Sequence, residues 1–252
     1  MNQLTNSWSE VTLKENSFKK GNKLYEGKAK IVYATDKEDV LIQEFKNDAT
    51  AFDGKKKGKI KAKGAINNQI SGHLFTYLEN YHVPTHFLKI QSDTAMFIRK
   101  LEMIPVEVVM RNIATGSLVK RYGVKEGEEL EYPILEYYLK DDSKHDPLIN
   151  DDHILAFGHA DADELQQIQR YAKKINAVLK SFFHRRNIVL VDFKLEFGRN
   201  KNGKITLGDE ISPDTCRFWD AESGEKLDKD RFRFDLGNVE QAYQEIRDRV
   251  FK

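Results

Sequence analysis

The chain has 252 residues, of which 40% are hydrophobic and 32% are charged, enough for one large domain or two modest ones. These proportions exclude a disordered chain and a fibrous repeat. Forty-one basic residues against 40 acidic ones leave a net charge of +1, so no global field favours nucleic acid or a membrane surface. A single cysteine, Cys216, and the lack of a long apolar run predict a cytoplasmic protein.

The neutral total hides two regions of opposite charge. The first 63 residues contain fourteen lysines and nine acids, whereas residues 126–164 contain thirteen acids and two lysines. Solvated faces often drift to such compositions. The same asymmetry is also found where a polyanion site lies beside a metal-binding one.

The N-terminal half reads mainly as strands. Segments 23–34 and 40–45 predict two strands joined by a turn, and strand-like runs recur at 86–91, 95–101 and 105–111. Apolar residues spaced three and four apart predict one amphipathic helix over 66–81. We therefore expect a mostly antiparallel sheet with a helix packed on it.

The C-terminal half is richer in helices. An apolar stripe behind acidic residues predicts a helix over 162–183, strands are expected at 188–197 and 204–209, and a second helix over 239–250. Asn238 and Gln241 fit a capping box for that second helix. Because helices and strands come in blocks, the predicted class is α+β.

The dipeptide Asn202-Gly203 is a strong hairpin signal. A two-residue turn there sets Glu196 directly across from Asp209, with Lys194 on the same face. Facing carboxylates repel each other, so a cation is expected between them, and an all-oxygen ligand set favours Mg²⁺. Two alternatives remain open, namely ordinary solvent-facing strand residues or a longer turn with a shifted register.

Three further segments are candidates for anion binding. Strand alternation over 23–34 places Lys28 and Lys30 on one face, where they resemble a phosphate grip or a solvated lysine pair. Arg111 and Ser117 flank a turn that could hold a phosphate, and residues 209–217 form a polar loop that ends at Arg217. The lysine-rich run over 55–63 lacks interleaved aromatic residues, which favours a solvated loop or a cover over a polyanion rather than a nucleic-acid site.

Successive motifs of the chain resemble those of one known family. The segments LYEGKAKIVY, NDATAFDG, KGAINNQIS, IPVEVVMRNIATGSLVKRYG, LVDFKLEFG and DEISPDTCRFWD occur in the order typical of SAICAR synthetases. The resemblance begins near residue 23 and runs to the C-terminus. It implies an ATP-dependent ligase that joins L-aspartate to the carboxylate of a phosphoribosyl aminoimidazole through an acyl phosphate, with Mg²⁺ as cofactor.

The resemblance also implies an architecture. Two α+β lobes would hold ATP in the cleft between them, similar to ATP-grasp and kinase-like folds. Residues 1–22 would be an N-terminal extension, residues 23–102 a sheet-rich ATP-binding lobe, and residues 103–252 a larger lobe with the metal and imidazole nucleotide sites. The partners would be small molecules and a second copy in a homodimer, with no nucleic acid and no membrane.

Individual roles follow from the same resemblance. ATP would contact five residues, namely Lys28, Ala29, Lys30, Lys100 and Leu101. The imidazole nucleotide would be bound by Arg111, Ser117 and Arg217. Glu196 and Asp209 would hold Mg²⁺, while Lys194 and Asp53 would be catalytic. Asn67 and Asn68 are candidates for binding aspartate.

Two rival functions use the same residues differently. A phosphotransferase would stop at a stable phosphorylated product, so its turnover would not depend on aspartate. An RNA-binding protein would use the lysine-rich run and leave the hairpin carboxylates inert. Salt-sensitive RNA retention that survives a change at Glu196 would favour this second rival.

Overall fold

The structure is a computed structural model that describes residues 18–52 and 54–252. A first antiparallel sheet is built from β1 (Lys20–Glu26), β2 (Lys30–Thr35), β3 (Val40–Phe45), β6 (Phe87–Ser92) and β7 (Ala95–Arg99). Its strand order is β1-β2-β3-β7-β6. The segment between β3 and β6 forms a separate hairpin and a helix, namely β4 (Asp48–Ala51), β5 (Lys56–Lys59) and α1 (Lys63–Glu79).

A second antiparallel sheet contains six strands. They are β8 (Glu102–Ile113), β9 (Glu129–Leu139), β10 (Leu148–Ile149), β11 (Ile188–Arg199), β12 (Ile205–Leu207) and β13 (Cys216–Asp220). The order is β10-β9-β8-β11-β12, and β13 pairs with the first half of β11. The long strand β11 therefore lies at the centre of the sheet.

Five more helices complete the fold, namely α2 (Ser117–Tyr122), α3 (Asp151–Ala156), α4 (Ala162–His184), α5 (Asp230–Arg233) and α6 (Val239–Val250). The apolar stripe of α4 is buried against β11 and β8. Helix α1 packs against the first sheet and against α6. One continuous hydrophobic core joins these elements, and the α+β class is confirmed. Within the described residues, no helix is long and apolar enough to span a membrane.

Two local predictions were wrong. The segment 23–34 is not one strand, because the chain reverses at residues 27–29 and the Gly27 amide donates to the Lys30 carbonyl at 2.8 Å. Small and charged residues continue to alternate through residues 27–29, so the sequence pattern resembled one unbroken strand and gave no sign of the turn. Asn238 precedes α6 but has φ +49° and does not cap it with its side chain.

The lysine-rich run over 55–63 is also more ordered than a solvated loop. Residues 56–59 form β5, which pairs with β4. Lys63 is fully buried, and its Nζ lies 2.6 Å from Asp214 Oδ2. Most of the extension predicted over residues 1–22 lies outside the described residues.

The start of α1 lies close to the end of β3. The Gly64 amide donates to Asn47 Oδ1 at 2.9 Å. A Cβ added at Gly64 would lie 2.6 Å from the Phe45 carbonyl oxygen. Because two backbone segments meet there, neither can move without displacing its element.

We expect Gly64→Ala to lower the free energy of unfolding by about 1–3 kcal/mol, the usual range for overpacking. Urea unfolding followed by circular dichroism would measure the change. Gln69→Ala, at a half-buried position of the same helix, is the matched control and should change stability much less. Equal stability of wild type and Gly64→Ala would contradict the close contact.

Candidate active site

A cleft of about 680 Å³ lies where the turn after β1 meets the second sheet. The turn contributes residues 27–30, β8 contributes Glu107, and β11 contributes Lys194 and Glu196. Other walls come from the segments that follow β9, β12 and β13, including Lys140, Asp209, Glu210, Asp214, Thr215 and Lys229. Most of these side chains are charged, which is typical of a site for charged ligands.

Ammonium groups of partly exposed lysines hold the cleft carboxylates together. Lys194 Nζ lies 2.5 Å from Glu196 Oε1 and 3.4 Å from Asp209 Oδ2. The other oxygen of Asp209 pairs with Lys30, and the other oxygen of Glu196 pairs with Lys140. Lys194 also lies 3.2 Å from an oxygen of Glu107. Glu196 and Asp209 therefore share one cation.

These contacts shift the protonation equilibria of the cluster. Burial alone would lower the pKa of Lys194, but Asp209 and Glu196 outweigh it and hold that pKa well above its usual value. Burial alone would raise the pKa of Asp209, but Lys30 and Lys194 hold it far below its usual value. The carboxylate of Asp209 stays ionised as a result.

The hairpin has the longer turn and shifted register that the sequence left open, and not the two-residue turn. Phe197 pairs with Leu207, and the Gly208 amide donates to the Glu196 carbonyl at 2.9 Å. Glu196 is therefore not directly opposite Asp209, because the turn is one residue longer than Asn202-Gly203 alone. Asn200 accounts for this length, since its side chain accepts from the amides of residues 202 and 204.

The backbone of Asp209 nevertheless brings its side chain to Glu196. Asp209 has a left-handed φ of +59°, which a non-glycine residue adopts only when its surroundings hold it there. Gln43 of β3 is buried and donates from Nε2 to the Asp209 carbonyl at 3.1 Å. A contact from the first sheet thus fixes the residue that meets Glu196.

The donor set fits a magnesium ion bound together with phosphates. Among the described residues, no three His, Cys, Asp or Glu side chains form a ready metal-binding group. Mg²⁺ usually takes only one or two carboxylates and completes its shell with water and phosphate oxygens. Glu196 and Asp209 supply that number, and Lys194 lies within 3.4 Å of an oxygen of each.

The predicted ATP residues are only partly brought together. Lys28, Ala29 and Lys30 line the cleft, in a turn rather than on one strand face. Lys100 and Leu101 follow β7 and are not among the described residues that line the cleft. Asp53 lies outside the described residues. The roles of all six residues stay predictions.

A second cavity, of about 240 Å³, adjoins the cleft through four shared residues, namely Glu107, Lys194, Asp214 and Thr215. Arg111 and Arg217 both donate to Asp192 Oδ2, at 3.1 and 2.7 Å. Arg111 also donates to Ser117 Oγ at 2.9 Å. The structure therefore brings together Arg111, Ser117 and Arg217, the three residues that the family resemblance groups around the imidazole nucleotide, and their binding role stays a prediction.

Sequence reasoning missed the acids that hold these arginines. Glu136 accepts from Arg111 Nε at 2.7 Å, and Asp192 links Arg111 to Arg217. Asp192 is directly opposite Arg111 where β8 pairs with β11. The sequence does not show which strands pair when they lie far apart along the chain, so this contact could not be predicted. Glu136 lies on β9, a strand that the sequence did not predict.

The two asparagines proposed for aspartate are both buried in α1. Asn68 donates to the carbonyls of Ser92 and Asp93, each at 2.9 Å. Asn67 Nδ2 lies 3.5 Å from Glu210 Oε2, on the acidic side of the cleft. Asn68 therefore has a clear part in the fold, whereas Asn67 lies close to the cleft.

The α+β fold holds two adjoining cavities lined mainly by charged and polar side chains, which is typical of an enzyme that acts on charged substrates. The sequence profile of the SAICAR synthetase family matches residues 23–250. The chain therefore belongs to the SAICAR synthetase family and is an ATP-dependent ligase of purine biosynthesis.

Individual relatives agree with this assignment. A phosphoribosylaminoimidazole-succinocarboxamide synthase of Chloroherpeton thalassium is 60% identical over 232 residues, which cover 92% of this chain and 98% of that protein. The crystal structure of the synthase from Ehrlichia chaffeensis is similar with a TM-score of 0.90 and 42% identity, covering 91% of this chain and 98% of that one. A SAICAR synthetase (Type-2) in complex with ADP has a TM-score of 0.87 and 51% identity, covering 90% and 96%.

Burial lowers the pKa of His86, close to Asp209 and Lys30, to about 3. An unfolded histidine has a pKa near 6.5, so between those two values the unfolded chain binds a proton that the folded chain does not. The stability contributed by neutral His86 is present above about pH 6.5 and is lost as the pH falls towards 3. The loss is about 1.4 kcal/mol per pH unit well inside that window.

We expect His86→Leu to flatten the dependence of the unfolding free energy on pH between about 6 and 4.5, whatever its effect on stability at neutral pH. Urea unfolding at a series of pH values would measure the slope. His184→Ala, at an exposed histidine, is the control. An unchanged slope in His86→Leu would show that His86 is not held neutral.

Proposed function

We propose that the two cavities divide the ligase reaction between them. ATP binds in the larger cleft, and 5-amino-1-(5-phospho-D-ribosyl)imidazole-4-carboxylate binds in the smaller cavity. The observation that carries this proposal is the shared wall, where Lys194 contacts both Glu196 and Asp209 and also lines the arginine-rich cavity. A phosphoryl group transferred between the cavities would pass that ammonium.

Nucleotide binding is assigned to the turn and the two carboxylates. Lys28 and Lys30 would neutralise phosphate charge, and the small Ala29 leaves its amide accessible to a phosphate. When bound, Mg²⁺ would neutralise phosphate oxygens and orient the triphosphate. Glu196 and Asp209 would hold that ion and release their lysines to the phosphates. The ADP complex of a 51% identical structure supports a nucleotide site in this fold.

The imidazole nucleotide is assigned to Arg111, Ser117 and Arg217. Within the described chain Arg217 Nη2 donates to no protein group, and it would lie 3.0 Å from a Cβ at Gly116. Gly116 has φ +58°, so the turn that carries Ser117 needs glycine both for its backbone and for this approach. A phosphate between that turn and the guanidinium would find several donors.

The chemistry follows from the charges on the shared wall. A carboxylate oxygen of the imidazole nucleotide attacks the γ-phosphorus of ATP, and ADP leaves. The amine of L-aspartate then attacks the acyl carbon and loses a proton, and the C–O bond to phosphate breaks as the amide forms. Lys194 would stabilise the charge on the phosphoryl group during transfer, and Asp53 is kept as a second catalytic candidate.

Aspartate dependence tests this function against a simple phosphotransferase. ADP release would be measured with the purified chain, ATP, Mg²⁺ and the imidazole nucleotide, with and without L-aspartate. Sustained turnover only with aspartate supports the ligase, whereas equal turnover without it supports the rival. The homodimer implied by the resemblance and the cytoplasmic location predicted from the sequence composition stay predictions.

Removing one negative charge from the proposed metal site should cripple turnover. Glu196→Gln or Asp209→Asn is expected to lower kcat by about 100-fold or more, because each weakens a ligand to the magnesium ion. Steady-state ADP release gives kcat, and circular dichroism verifies the fold. Glu222→Gln, at an exposed acid, is the control. Near-normal turnover in folded variants would rule out the metal assignment.

Arg111→Lys should weaken binding of the imidazole nucleotide by about 10- to 100-fold. Lysine keeps the charge but loses the planar donor set that joins Ser117, Glu136 and Asp192. Calorimetric titration would give both affinities, and binding of Mg·ADP should change little. If the two affinities fall together, Arg111 supports the whole site rather than the nucleotide.

A further inference from the structure

Lys229 is a cleft lysine whose nearest carboxylate oxygen among the described residues lies at 4.0 Å, beyond hydrogen-bond distance. It lies between β13 and α5, and its side chain is only 14% exposed. Its Nζ is 4.0 Å from Asp214 Oδ2 and donates no hydrogen bond within residues 18–52 and 54–252. By contrast, Lys30, Lys140 and Lys194 each have a carboxylate oxygen at 3.0 Å or closer.

Asp214 is already used by other groups. Its Oδ2 accepts from Lys63 Nζ at 2.6 Å, and its Oδ1 accepts from the Tyr243 hydroxyl at 2.6 Å. Lys63 is fully buried, so the Lys63–Asp214 pair neutralises itself. Within the described residues, the ammonium group of Lys229 therefore has no carboxylate within hydrogen-bond distance. Burial lowers the pKa of Lys229, and although Asp214 and Glu210 oppose that shift, Arg233 and Lys63 add to it.

Burying an ammonium group without a hydrogen-bond acceptor costs free energy, so an anion bound at this position would be stabilised. The anions already assigned lie elsewhere. The ATP phosphates belong with Lys30 and the paired carboxylates, and the ribose phosphate belongs with Arg111 and Arg217. Lys229 lies beside Asp214 and Thr215, which line both cavities. A third substrate would reach the acyl carbon from this wall.

We propose that Lys229 binds a carboxylate of the dicarboxylic amino acid that is joined to the imidazole nucleotide. This inference rests on the proposed function, in which the amino acid is the one substrate to which no cation of the two cavities has been assigned. The carboxylate would become the hydrogen-bonded partner that Asp214 cannot be. With its carboxylate on Lys229, the amino acid would place its amino group beside Asp214 and Thr215, which line both cavities.

Steady-state kinetics with each substrate varied in turn would test the assignment. In Lys229→Met, the KM for L-aspartate should rise by about 10- to 100-fold, the scale of a charge-assisted hydrogen bond. The KM values for ATP and the imidazole nucleotide should change by less than about threefold. Lys229→Arg keeps the charge and should restore much of the aspartate affinity. Lys180→Met, at an exposed lysine, is the matched control.

Two outcomes would overturn the assignment. An unchanged KM for aspartate in a folded Lys229→Met protein is one, and an equal rise in all three KM values is the other. If Lys229→Met does not fold, Lys229→Gln removes the charge with a polar side chain and gives the same comparison. Wild-type turnover that ignores aspartate would instead contradict the proposed function, so the two failures are distinguishable.

Discussion

The ion pairs around Lys194 are the interaction on which the rest of the site depends. Two carboxylates, those of Glu196 and Asp209, lie within reach of one ammonium group in a buried cleft. Without that cation their mutual repulsion and the loss of hydration would force them apart or protonate one of them. Lys30 and Lys140 neutralise the remaining oxygens. The pKa of Asp209 is thereby held far below its usual value, so its carboxylate stays ionised close to that of Glu196.

The cluster also depends on how the two sheets meet. Lys30 comes from β2 and Lys194 from β11, so neither sheet contains the cluster alone. Gln43 of β3 holds the carbonyl of Asp209 in its left-handed conformation. Because these contacts cross between the sheets, a shift of one sheet would change the geometry of both acids. The hydrophobic core shared by α1, α4 and α6 gives the arrangement its rigidity.

Local sequence patterns predicted the features that depend on interactions between residues close together in the sequence. The α4 stripe and the bounds of α6 follow from helical periodicity, and the family motifs pointed to Lys194, Glu196 and Asp209. The two-residue register was wrong because the side chain of Asn200 lengthens the turn, which the Asn-Gly signal does not report. Asp192 and Lys63 were missed as partners because their contacts join residues far apart in sequence.

Crystals grown with ADP and Mn²⁺ would show whether Glu196 and Asp209 bind the metal, because the anomalous signal of manganese locates the ion independently of the protein. We expect a manganese peak within about 2.2 Å of one oxygen of Glu196 and one of Asp209, the range for a hard divalent cation with carboxylate ligands. Lys30 and Lys194 should then contact phosphate oxygens. A peak elsewhere, with both lysines still on the carboxylates, would contradict the metal assignment.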